Sequence, residues 1–122
     1  MKEKLGTVEA RFADIVWEHA PLSSAELVKL CAEALDWKRT TTYTVLKKCC
    51  DGGLFCLDGG TVTVLVPRED YYAAQSEKFV RDAFSGSLPA FIAAFAQRKA
   101  ITKEELDQIR AMLDAYEQGG QT

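Results

Sequence analysis

The stretch DWKRTTTYTVLKKCCDGG, Asp36 to Gly53, decides how this chain is read. It holds four basic side chains, four threonines and a closing glycine pair. Thr42 and Leu46 lie one helical turn apart, as do Leu46 and Cys50, so one face is apolar. The spacing predicts a helix over Lys38 to Cys50. Three successive threonines are poor residues for a helix interior. They fit the first turn, where hydroxyls and unpaired amides can meet an anion. Gly52 and Gly53 end the helix.

Upstream, two more helices are expected. Val8, Phe12, Ile15 and Val16 form an apolar stripe over residues 7–19, widened by Trp17, with Gly6 or Thr7 at the start and Pro21 beyond the end. Ser23 and Glu26 have capping-box spacing and open a helix over 24–35, with Leu27, Leu30, Cys31 and Leu35 on its buried side. Downstream the period changes from helix to strand. Leu54 to Leu57, then Asp58-Gly59-Gly60, then Thr61 to Val66 reads as strand, tight turn, strand, closed by Pro67. Three helices and a hairpin make the order of a winged helix-turn-helix. In that arrangement the helix of residues 38–50 is the one that enters a DNA major groove.

Past Pro67 the composition shifts. Residues 69–84 form a helix anchored by Tyr72, Phe79, Val80 and Phe84. Ser85-Gly86-Ser87 breaks it. Leu88 to Ala96 is a short and almost wholly apolar helix. Thr102 and Glu105 form a second capping box ahead of a helix over 103–117, with Leu106, Ile109, Met112, Leu113 and Tyr116 at helical spacing. So much apolar surface on three small helices is most simply buried against a second copy. The expected fold is therefore mostly α with a small β-hairpin wing. A winged helix-turn-helix domain spans 1–67, and a three-helix dimerisation domain spans 68–122. The expected dimer contact comprises Phe79, Phe84, Leu88, Phe91, Ile92, Phe95, Leu106, Ile109 and Leu113.

The charge balance sets a counterweight. The formal net charge is -3, whereas affinity for nucleic acid rests largely on basic side chains. Residues 1–66 hold eight basic and nine acidic side chains, but none of the acids falls between Lys38 and Lys48. A cation at a helix N-terminus works against the helix dipole, and a phosphate nearby removes the conflict. Lys38 and Arg39 are accordingly read as backbone contacts. Thr40, Thr41 and Thr42 offer hydroxyls to phosphates or base edges and methyls to thymine, although Thr42 can also pack inward. Tyr43 suits a stacking or phosphate contact, and Lys47 and Lys48 suit phosphate or solvent. Neither lysine makes the two-bond fork that arginine makes with guanine. The hairpin tip, Asp58 to Thr61, has no cation for a minor groove. That absence, with the acidic balance, supports the alternative reading of a winged-helix protein-interaction module.

Other chemistries find little footing. Cys49 and Cys50 are adjacent and point about 100° apart on a helix, a poor start for a shared tetrahedral metal site. Cysteines 31, 49, 50 and 56 read as reduced thiols, mainly core residues. A redox role would require an exposed sulfur with a lowered pKa. His19, the single histidine, has no catalytic partner pattern, and no nucleotide-loop or zinc-protease motif occurs. No enzyme activity, cofactor or metal is expected. Neither a signal-peptide pattern nor an uninterrupted membrane-length apolar run is present, so the expected location is cytoplasmic without membrane insertion.

Several pieces, in order, resemble the penicillinase repressor family. They are EARFADIVW (Glu9 to Trp17), Ser24-Ala25-Glu26-Leu27, Trp37, TTYTVLKK (Thr41 to Lys48), Gly53, Pro67, FSGSLPAFIAAF ahead of Ala96, and ITKEELDQI from Ile101. That family includes the repressors of beta-lactamase and of the methicillin-resistance determinant, and a copper-responsive relative. The resemblance implies a homodimeric repressor whose N-terminal domains each take half of an operator dyad on double-stranded DNA. It also implies inactivation by a pathway that starts at a membrane-bound sensor protease. The family's cleavage motif is an Asn-Phe bond, and the matching bond here is Ala94–Phe95. The copper-responsive branch carries C-terminal cysteines. This chain ends AYEQGGQT, which argues against metal sensing by that route.

Overall fold

The computed structural model describes residues 5–119. The fold is mostly helical with one small sheet. In chain order the elements are α1 (Thr7–His19), β1 (Leu22–Ser23), α2 (Ser24–Leu35), α3 (Arg39–Asp51), β2 (Phe55–Asp58), β3 (Thr61–Val64), α4 (Arg68–Phe84), α5 (Leu88–Arg98) and α6 (Lys103–Gln118). The chain divides into two compact units, Met1–Lys78 and Phe79–Thr122, with the division inside α4.

Local chemistry accounts for most of the boundaries. The Ser23 hydroxyl accepts the Glu26 amide at 3.1 Å, and the Glu26 carboxylate accepts the Ser23 amide at 3.4 Å, so the capping box that opens α2 is complete. Thr102 and Glu105 do the same for α6, at 3.1 and 3.0 Å. Gly59 and Gly60 both take positive φ, 60° and 80°. Two such residues are what a tight two-residue turn of type I′ demands, and glycine meets the demand without strain. The hairpin register follows: Phe55 faces Val64 and Asp58 faces Thr61.

The sheet has three strands, not two. β1 pairs with β3 through Leu22↔Val62 and Ser23↔Thr61, giving the order β1-β3-β2. Two residues show no periodicity, so this strand has no local signature in the sequence. It exists because the edge of β3 lies beside the α1–α2 link. The second strand also ends earlier than expected. Leu65 and Val66 both donate to the Leu54 carbonyl, at 3.0 and 3.1 Å, which bends the chain out of the ladder.

The core of the first unit gathers Phe12, Ala13 and Val16 of α1, Leu27 and Cys31 of α2, Leu46 and Cys49 of α3, and Leu54, Phe55 and Val62 of the hairpin region. Phe12 stacks on Trp37 with ring centroids 5.7 Å apart and meets Phe55 edge-on at 6.5 Å. Val8, expected in the α1 stripe, is exposed; it sits in the first turn, and Ala13 takes the inward position. Tyr71 is the buried anchor of α4, with Tyr72 only half-buried beside it. The Tyr71 hydroxyl accepts the Leu5 amide at 2.9 Å, tying the start of the chain to α4.

The second unit has its own aromatic knot. Phe91 meets Phe79 and Phe84 edge-on at 6.0 and 5.7 Å, with Phe95 at 6.5 Å. Its α5 and α6 bury no residue fully. Leu88, Ile92, Phe95, Ile109, Met112, Leu113 and Tyr116 all stay exposed.

Candidate nucleic-acid interface

The face of interest is the outer side of α3. Its direction is set from both ends. Asp36 closes α2 in the left-handed conformation, φ 56° and ψ 38°. An aspartate tolerates this better than most residues. Trp37 then plugs into the core against Phe12, so α3 starts from a fixed point. Along α3, Thr42, Leu46 and Cys49 are buried. These positions, four and three residues apart, form the inner stripe.

Lys38, Arg39, Thr40, Thr41, Thr44, Lys47 and Lys48 are exposed on the outside. Thr42 is not among them. It is 1% exposed, and its hydroxyl donates to the Lys38 carbonyl at 3.2 Å. The phase of the helix, set by the packing of Leu46 and Cys49, turns Thr42 into the core and removes it from the outward-facing set. Thr44 bonds its own helix, donating to the Thr40 carbonyl at 2.9 Å.

The N-terminus of α3 differs from those of the other described helices. Lys38 makes no side-chain cap, and the first turn contains no acid. α1 has Glu9, α2 and α6 have capping boxes, α4 begins with Glu69 and Asp70, and α5 is capped by Ser87. The unpaired amides of a first turn carry partial positive charge. Here they stand beside Lys38 and Arg39, so the turn concentrates positive potential with nothing of its own to offset it. The Arg39 guanidinium lies over the Tyr43 ring, 5.3 Å from its centre. The Tyr43 hydroxyl in turn donates to Ser24 Oγ at 2.9 Å. Tyr43 thus braces α3 against α2 and presents Arg39 more than it presents itself.

The second half of α3 is different again. Lys47 Nζ is 2.9 Å from Asp51 Oδ2, and Lys48 Nζ is 2.7 Å from Glu9 Oε2. Glu9 Oε1 also accepts the Gly6 amide at 3.0 Å. The Lys48 ammonium first, and the Gly6 amide second, hold the Glu9 carboxyl below the usual carboxylate range. Glu9 belongs to α1, 39 residues from Lys48, and nothing local in the sequence links it to this face. Asp51 stands four residues after Lys47, the spacing that brings two side chains together on a helix. At the hairpin tip Asp58, Gly59, Gly60 and Thr61 are exposed and bring no cation.

Burial holds three of the four thiols in their protonated form. Burial pushes Cys49 up to about 11, and burial is also the main cause raising Cys31 and Cys50. None of the four is in a disulfide. Among the described residues, no group of three or more His, Cys, Asp or Glu side chains is placed to hold a metal ion, and no helix is long and apolar enough to cross a membrane. His19 Nδ1 lies 2.9 Å from the Ile15 carbonyl at the end of α1.

The second-unit residues sort by exposure. Phe84 and Phe91 are half-buried in the aromatic knot, and Phe79 touches both while remaining about half exposed. Leu88, Ile92, Phe95, Leu106, Ile109 and Leu113 face outward. Ala94 and Phe95 lie within α5, where the bond between them is helical.

Comparison with known proteins gives a match over nearly the whole chain. A penicillinase repressor from Bacillus licheniformis is 21% identical over 117 residues, covering 93% of this chain and 91% of the relative. The family model for the penicillinase repressor matches residues 5–115, from the start of the first core residue to the last turns of α6. Members of this family are regulators and not enzymes. A helical chain with a small three-stranded sheet, matched across almost its full length, belongs to the penicillinase repressor family.

Proposed function

We propose that this protein is a sequence-specific DNA-binding transcriptional repressor that acts as a homodimer on an operator dyad. The observation that carries the reading is the start of α3: uncapped, free of acid, flanked by Lys38 and Arg39, and held rigidly by Trp37 and Tyr43. Residues 1–67 form a winged helix-turn-helix, with α2 and α3 as the helix pair, α3 in the major groove and the β2–β3 hairpin as the wing. Lys38 and Arg39 take phosphates, Thr40 and Thr41 reach phosphate or base edges, and Tyr43 positions Arg39. Lys47 and Lys48 lie further along the backbone and contribute less, because each must first leave its carboxylate. Residues 68–122 form the dimerisation domain through the exposed apolar faces of α5 and α6. Relief of repression, by resemblance to the family, runs through the Ala94–Phe95 bond and a membrane-bound sensor protease pathway, with α5 opening locally to admit the protease.

A test is selection of genomic fragments by the intact protein, followed by equilibrium binding at two salt concentrations. The expected result is submicromolar binding that weakens with salt and exceeds a scrambled duplex by about 10³-fold. Equal weak binding to every duplex would instead favour the protein-interaction module, the reading to which the acidic hairpin tip and the paired lysines lend support.

Thr42→Val offers a separate check on the orientation of α3. Its hydroxyl donates to the Lys38 carbonyl. Replacing it with a methyl is expected to cost about 1 kcal/mol in urea unfolding and to leave DNA affinity unchanged. A tenfold loss of affinity with stability intact would place Thr42 at the duplex after all.

A further inference from the structure

Two carboxylates stand on the cations of the second half of α3, and stability does not explain the more exposed of them. The Lys47 and Asp51 side chains are 77% and 67% exposed, where an ion pair contributes little. Lysine four residues before an acid is the poorer order for such a pair. An acid in the last turn of a helix also opposes the dipole. Glu9 is placed more firmly. One oxygen caps the Gly6 amide and the other takes Lys48, so the carboxylate is aimed before any ligand arrives.

We propose that Glu9 and Asp51 are built-in stand-ins for phosphate, holding Lys48 and Lys47 back from a duplex so that contact concentrates on the N-terminal turn of α3. They are thereby determinants of specificity. Background binding to arbitrary DNA is almost wholly electrostatic and recruits any cation within reach. A registered complex is oriented by base contacts and by the first-turn amides, which neither acid touches. Cancelling two of the four cations of this face therefore lowers background binding more than it lowers operator binding. The proposal rests on the DNA-binding reading above.

The variants that test it are Asp51→Asn and Glu9→Gln, measured against the wild type on preferred and scrambled duplexes over a salt series. Glu9→Gln keeps an oxygen for the Gly6 amide, and Asp51 is exposed, so both folds persist. Each variant is expected to bind the scrambled duplex about 60-fold more tightly at ~0.1 M salt, since a dimer gains two phosphate contacts. Its salt slope should steepen by about 0.9 for each lysine released per protomer. The preferred duplex gains less, so the ratio between the two falls. Asp51→Glu, which keeps the charge, is expected to match the wild type. If the wild type binds DNA with salt dependence but neither neutral variant changes affinity or slope, the proposal is overturned and the DNA-binding reading stands. If no protein in the series binds any duplex at low salt, both are overturned.

Discussion

Lys38→Ala combined with Arg39→Ala is expected to weaken binding to the preferred duplex by about a thousandfold at ~0.15 M salt. A dimer would lose about four phosphate contacts, each contributing roughly 0.9 to the salt slope, and at that concentration their sum is about three decades of affinity. The loss should fall almost equally on scrambled duplex, because phosphate contacts carry no sequence information. Folding should be untouched, since both side chains are exposed and neither caps α3. The matched double variant Lys47→Ala with Lys48→Ala should lose only about tenfold, because each lysine already shares its charge with a carboxylate 2.9 or 2.7 Å away. Titration by fluorescence anisotropy reads both. Equal losses for the two double variants would mean that the whole length of α3 lies along the backbone, and the N-terminal turn would lose its special role.

Ile109→Glu combined with Leu113→Glu should convert the protein to monomers. The two residues lie one turn apart on α6, are exposed in the single chain, and belong to a helix that buries nothing by itself. Two carboxylates on an apolar contact face must either be desolvated or keep the partner away, and burial of an unpaired charge costs several kcal/mol. Sedimentation should therefore move from twice the chain mass to 13.5 kDa. Affinity for a full dyad should drop by at least about 100-fold, since linking two half-site contacts contributes 10²–10⁴. A single half-site should bind as before. Helical content should also be retained, because the aromatic knot of Phe79, Phe84 and Phe91 lies elsewhere in the second unit. A dimer that survives both substitutions would remove α6 from the contact and leave it to Leu88, Ile92 and Phe95 of α5.

Several features of the fold can be picked out along the sequence, and the reason is local chemistry. Capping boxes at Ser23–Glu26 and Thr102–Glu105 act over three residues. The Gly59-Gly60 turn needs positive φ that glycine supplies by itself. The acid-free basic run from Lys38 to Lys48 is contiguous. Each such feature operates within a helical turn or a hairpin loop, so linear order carries it.

What needed the fold is what joins distant positions or fixes a rotation. Thr42 carries the same side chain as Thr40 and Thr41, and only the phase of α3 against Phe12, Leu27 and Leu54 turns it inward. Tyr71 and Tyr72 are adjacent, and the packing of α4 against Trp17 chooses which is buried. β1 forms because β3 offers it an edge about forty residues along the chain. Glu9 meets Lys48 across 39 residues. Linear order alone places the capped helix starts, the Gly59-Gly60 turn and the basic character of α3, because those properties follow from neighbours along the backbone. Which face of each helix is buried, and which carboxylate answers which lysine, was decided by tertiary packing alone, because close packing selects one rotation and one pairing among several that the local pattern allows equally.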